Sequence, residues 1–107
     1  MTAYLVAIVR VDDAEAYRNY TDRAPAVLAR YGGRYIVRGG KPELLEGTLP
    51  GQRVVVVEFP DIESARAFYA SDEYKEVKRL RTGAGEAVFA LVEGVEQGED
   101  GPPPDGL

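Results

Sequence analysis

Two short runs, "AYLVAIV" at residues 3–9 and "RVVVVEF" at residues 53–59, are apolar at both even and odd positions. Successive side chains of a strand point to opposite faces, so strands patterned this way need cover on both sides. They belong at the centre of a sheet. A chain of 107 residues forms one domain with one core and has little left over to cover a second face.

The segments around these runs supply part of that cover. Asp12 stands three residues before Glu15 in the spacing of a capping box, and Tyr17, Tyr20, Ala24, Val27, Leu28 and Tyr31 form one stripe at helical spacing. This predicts an amphipathic helix ending at Gly32. Pro25 lies inside it and lacks the donor for the carbonyl of Thr21, which predicts a kink or a break into two helical pieces. "RYIVR" at 34–38 then reads as an edge strand, and Gly39 and Gly40 suit a bulge or a close backbone approach. "KPELLEGTLPGQ" is a turn-rich connection. Pro60 and Asp61 open a second helix through Ala70, Ser71 recaps a further piece through about Thr82, and "EAVFALVEG" at 86–94 is the last strand.

The order β-α-β-β-α-β predicts an α+β, ferredoxin-like protomer with a four-stranded antiparallel sheet, strands one and three central and strands two and four at the edges. Residues 1–95 form this domain. Residues 96–107, "EQGEDGPPPDGL", are expected to be a disordered acidic tail. Because the helices cover one face only, the expected cover for the other is a second copy of the chain, sheet against sheet, in an isologous homodimer.

Composition removes several kinds of chemistry. The chain has no cysteine and no histidine, so disulfides, thiolate nucleophiles, histidine bases and the usual nitrogen- or sulfur-ligated metal sites cannot be built. No metal site and no cofactor is expected. Four of the five net negative charges sit in the tail, so the body is close to neutral and offers no basic footprint for nucleic acid. The N-terminal run has no basic n-region and nothing approaches the length of a membrane helix, so neither a signal peptide nor a membrane span is expected, and a cytoplasmic location is.

The segments "YGGRYIVRGG", "LEG" and "RVVVVEFPDIESARAFYASDEY", with Arg81 and the closing "VEG", resemble the bacterial family called domain of unknown function 1330 (DUF1330), over about residues 3–95. The resemblance implies a dimeric α/β-barrel built from ferredoxin-like protomers. It implies no substrate. Relatives by fold include cofactor-independent monooxygenases, lactone isomerases and haem-binding barrels, of which the histidine-ligated haem type is excluded by composition. Two family positions differ: a tryptophan common in the second helix is Phe68 here, and a proline usual after the recapping serine is Asp72.

Glu58 is the sharpest single observation, a carboxylate sharing parity with Val54 and Val56. It is either one half of a structural ion pair with Arg34 or Arg38, or a general acid or base whose pKa an apolar pocket would raise. Arg38, followed by Gly39 and Gly40, has the makings of an anion clamp, with Glu46 and Arg81 as candidate neighbours; the plainer reading is a bulge and a salt bridge. Tyr20 is the candidate proton donor on a helix stripe that otherwise reads as core. Two functions follow. One is a homodimer that binds a small anionic or carbonyl-bearing molecule, with cofactor-independent proton-transfer or oxygenase-like chemistry. The other is a non-catalytic dimerisation or ligand-sensing module.

Overall fold

A computed structural model describes residues 1–95. The elements run β1 (Ala3–Val11), α1 (Ala14–Arg30), β2 (Arg34–Gly40), β3 (Arg53–Phe59), α2 (Ile62–Ala70), α3 (Asp72–Lys78), a 3-10 turn (Arg79–Arg81) and β4 (Gly85–Glu93). The four strands form one sheet in the order β2-β3-β1-β4, with every neighbouring pair antiparallel. This is the ferredoxin-like arrangement, with the two doubly apolar strands at its centre. The expected tail, 96–107, lies outside the described residues.

Alternation along the central strands divides the apolar residues cleanly. Ala3, Leu5, Ala7 and Val9 of β1 and Val57 and Phe59 of β3 are buried against the helices, together with Tyr17, Tyr20, Ala24, Val27 and Leu28 of α1. Phe59, Phe68 and Tyr74 are fully buried and their rings pack in series, Phe59 to Phe68 at 5.5 Å and Phe68 to Tyr74 at 4.6 Å between centroids. The other parity, Tyr4, Val6 and Ile8 with Val54 and Val56, is only partly buried, and Val88 and Val92 of β4 beside it are exposed. No helix of the described residues covers that face.

Two expectations about α1 require correction. Its N-cap is Asp13, whose Oδ1 accepts from the Ala16 amide at 3.1 Å. Asp12 instead accepts from Arg10 through both carboxylate oxygens, each at 3.1 Å, because it still belongs to the strand exit. Of the two outcomes expected at Pro25, the break is absent, and the helix runs without interruption from 14 to 30. Thr21, which loses its donor, is an exposed residue, so water can serve its carbonyl, while Ala24, Val27 and Leu28 hold both halves of the helix on the same core.

The caps of the second helical segment follow the sequence. Asp61 Oδ1 accepts from the Ser64 amide at 2.7 Å, and Ser71 Oγ accepts from the Tyr74 amide at 3.1 Å while donating to the Phe68 carbonyl at 2.7 Å. One serine thus closes α2 and opens α3, which fixes the angle at which Tyr74 enters the core.

Strand β2 is less regular. Tyr35 pairs with Val57 and Val37 with Val56, so Ile36 is an extra residue; Arg38 pairs with Val55 and Gly40 with Val54, so Gly39 is a second. Gly39 has φ 75°, the left-handed region that glycine enters at no cost.

Candidate functional site

Between α1 and the inner face of the sheet lies a cavity of about 280 Å³, close to the lower bound of roughly 300 Å³ typical of small-molecule sites. Its walls are largely apolar and aromatic: Leu5, Ala7, Val55 and Val57 from the sheet, Leu28 and Ala24 from α1, with Phe68 and Phe89 among the rings. Polarity enters through Tyr17, Tyr20, Thr21, Tyr35, Arg38 and Arg53, and the lining contains no acidic residue.

The two arginines reach the cavity from adjoining strands. Arg38 lies opposite Val55, two residues along β3 from Arg53 and on the same face, so the two are diagonal cross-strand neighbours at about 7–8 Å. Both are exposed, and among the described residues neither has a carboxylate within ion-pairing distance. The Arg38 guanidinium is laid over the Tyr35 ring at 4.4 Å, which orients its planar fork before any ligand arrives. Gly39 lines the cavity next to it.

At the inner wall, the Tyr20 hydroxyl meets that of Tyr74 at 2.8 Å in a buried hydrogen bond. Arg81 stands beside this pair, its guanidinium 4.7 Å from the Phe89 ring and 5.5 Å from that of Tyr20. Its buried Nε has no hydrogen-bond partner. Burial opposes the charge on Arg81, but the Tyr74, Tyr20 and Tyr17 hydroxyls together outweigh that cost and hold its pKa above the ordinary value. Burial raises the pKa of Tyr17, Tyr20 and Tyr35, with Tyr20 shifted furthest, so these phenols are neutral donors and acceptors at ordinary pH.

Of the residues singled out from sequence, Tyr20, Arg38 and Gly39 therefore meet at one cavity, with Arg81 behind its wall. Glu58, Gly40 and Glu46 do not line it. Glu58 is on the opposite face of the sheet, where its Oε1 accepts from Arg34 Nε at 3.0 Å; the two side chains are 30% and 72% exposed. Gly40 ends β2, and Glu46 is exposed in the connection to β3.

Sequence reasoning missed Arg53, although the signal was of the kind that exposed Glu58. Arg53 shares parity with Val55, Val57 and Phe59, a lone charge on an otherwise apolar row. Arg53 is the first residue of its strand, where a charge is commonplace and marks nothing by itself.

A ferredoxin-like protomer with an aromatic cavity under its first helix and a cationic rim defines the class to which this protein belongs by structure. The chain belongs to the family Domain of unknown function (DUF1330), which matches residues 2–95. No curated protein matches the sequence. Among solved structures, the RPA0582 protein of unknown function from Rhodopseudomonas palustris is similar at 20% identity and a TM-score of 0.71, over 89% of this chain and 83% of that one. A dimeric protein of unknown function and ferredoxin-like fold from Bacteroides fragilis shares 11% identity at a TM-score of 0.61, over 87% and 96%. SnoaB, a cofactor-independent oxygenase from Streptomyces nogalater, shares 13% identity at a TM-score of 0.63, over 92% and 98%. At such identities the likeness establishes the fold.

Proposed function

We propose that the protein binds a small, partly apolar organic anion in the cavity beneath α1, as a homodimer joined through the open face of the sheet. The observation that carries the binding reading is the pairing of an apolar, aromatic lining with two arginines and no acid. The lining favours a ring or short hydrocarbon, and a carboxylate placed between Arg38 and Arg53 would gain charge-assisted hydrogen bonds from both.

The homodimer is supported by the apolar residues of the open face and by the dimeric ferredoxin-like neighbour from Bacteroides fragilis. Val56 sits in the middle of that face, opposite Val6 and Val37. Val56→Asp is expected to turn a dimer into a monomer in analytical ultracentrifugation; a wild-type monomer at all concentrations would remove this half of the proposal.

The position of Glu58 favours a ligand-sensing module over proton transfer by that residue, since its carboxylate and the cavity are on opposite sides of the sheet. Cofactor-independent chemistry on the bound anion, of the kind the name of the Streptomyces nogalater oxygenase denotes, would then fall to residues of the cavity.

The test is a thermal-shift titration with benzoate, salicylate and phenylpyruvate against neutral benzamide. An acid present at ten times its Kd is expected to raise the Tm by about 5–10 °C. Benzamide is expected to raise it less, and the Arg38→Ala, Arg53→Ala double variant is expected to lose the response to the acids. Shifts equal for acid and amide would refute the anion reading.

A further inference from the structure

The inner wall of the cavity carries polar groups that the anion reading leaves unused. Tyr20 lines the cavity, whereas Tyr74, fully buried, stands behind it. Their hydroxyls share a single hydrogen bond in which either can donate. Two hydroxyls joined by one bond leave one hydrogen over. Its direction follows from burial: Tyr74 is fully buried, its hydroxyl has no partner but Tyr20 among the described residues, and the neighbouring Arg81, 5.5 Å from the Tyr20 ring, offers only donors. Were Tyr20 to donate, the Tyr74 hydrogen would be buried without an acceptor, so the favoured arrangement turns it toward Tyr20. Tyr74 then donates, Tyr20 accepts, and the spare hydrogen belongs to the tyrosine at the cavity wall.

We propose that the Tyr20 hydroxyl, oriented by Tyr74 and Arg81, is a hydrogen-bond donor to the end of the ligand remote from Arg38 and Arg53, so that the preferred ligand is an aromatic acid carrying a second acceptor, a carbonyl, opposite its carboxylate. This rests on the cavity-binding reading above and narrows its ligand class. The electropositive surroundings support an acceptor in the ligand over a donor: arginines stand at the rim, a third backs the inner wall, and no acidic residue lines the space. A ligand donor at the inner end would instead need the Tyr20 oxygen, which Tyr74 already engages. Tyr20 is thus a binding residue, and Tyr74 and Arg81 are positioning residues.

The experiment is calorimetric titration of the full chain with benzoate and with 4-acetylbenzoate, which adds a carbonyl across the ring. The wild type is expected to bind 4-acetylbenzoate about five- to tenfold more tightly than benzoate, the worth of one buried hydrogen bond. Tyr20→Phe keeps the ring and is expected to abolish that difference between the two acids. Equal affinities in the wild type, or a difference that survives Tyr20→Phe, would overturn the inference while leaving the anion site standing. Failure of both acids to bind would overturn the cavity reading and this inference with it. Should Tyr20→Phe fold poorly, infrared spectroscopy of 4-acetylbenzoate labelled with carbon-13 at the ketone reads the same bond in the wild type. A ketone stretch at or below its value in water supports donation by Tyr20; a rise to the value in an apolar solvent refutes it.

Discussion

The two faces of the sheet are built from the same strands and have opposite fates. On the inner face Leu5, Ala7, Val9, Val57 and Phe59 pack against helices, and the space left over is a cavity with a cationic rim. On the outer face Val6, Ile8, Val54 and Val56 are only partly covered, Val88 is 55% exposed, and charged pairs join Glu58 to Arg34 and Arg10 to Glu86. The difference shows that apolar patterning alone does not distinguish a core face from a docking face. What distinguishes them is that, among the described residues, the helices all lie across one side of the sheet and none lies across the other.

The comparison breaks most visibly at the inner face. Phe68→Ala removes a ring that touches Phe59, Tyr31 and Tyr74 and is expected to cost about 3–5 kcal/mol in urea denaturation. A cost below 1 kcal/mol would mean that the helical layer is not the principal core.

Alkaline titration sharpens the contrast next. Tyr17, Tyr20 and Tyr35 line the inner face with pKa values raised by burial. Their unfolded values are near 10, so above about pH 10 the unfolded chain releases protons that the folded chain keeps. Stability is therefore full below pH 10 and is lost as pH rises toward the folded values. Tyr20→Phe should remove one such proton and reduce the slope of stability against pH by up to about 1.4 kcal/mol per pH unit. An unchanged slope would show that Tyr20 titrates as if exposed.

The smallest effect belongs to the outer face. Glu58→Gln breaks an ion pair whose arginine is largely exposed and is expected to cost about 0–1 kcal/mol when the denaturation is run on a monomeric background such as Val56→Asp. In the wild-type background a cost of about 3–5 kcal/mol would show that a partner subunit buries the pair.

Most of the architecture was legible in the sequence because it rests on local rules. Doubly apolar runs named the central strands, the tyrosine stripe named the buried face of α1, and Asp61 and Ser71 marked two caps correctly. The failures at Asp12 and Pro25 have a common cause. Two adjacent aspartates compete for one cap, and only the strand exit, with Arg10 beside Asp12, decides between them. Likewise only the packing of both halves of α1 on one core decides that a proline is absorbed.

The candidate site was less legible because strand register decides it. Arg34 and Arg38 share parity in the sequence and would lie on one face of a regular strand. The extra residue Ile36 lies between them, so Arg34 turns outward to Glu58 and Arg38 turns inward to the cavity. Gly33 adds a constraint of the same kind: a side chain there would stand 2.6 Å from Leu28 and 2.8 Å from Phe59, so β2 starts where helix and sheet nearly touch.

By itself, then, the sequence determined which strands are central, which face of α1 is buried and that one sheet face lacks cover, since periodicity and composition act locally. Only the tertiary structure brought Arg38 beside Arg53, joined Tyr20 to Tyr74 across 54 positions of sequence and parted Arg38 from Glu58. Glycine at position 39 marked one bulge locally, but the bulge at Ile36 and the side-chain meetings between distant elements are set by the packing of the whole domain, and no local pattern encodes them.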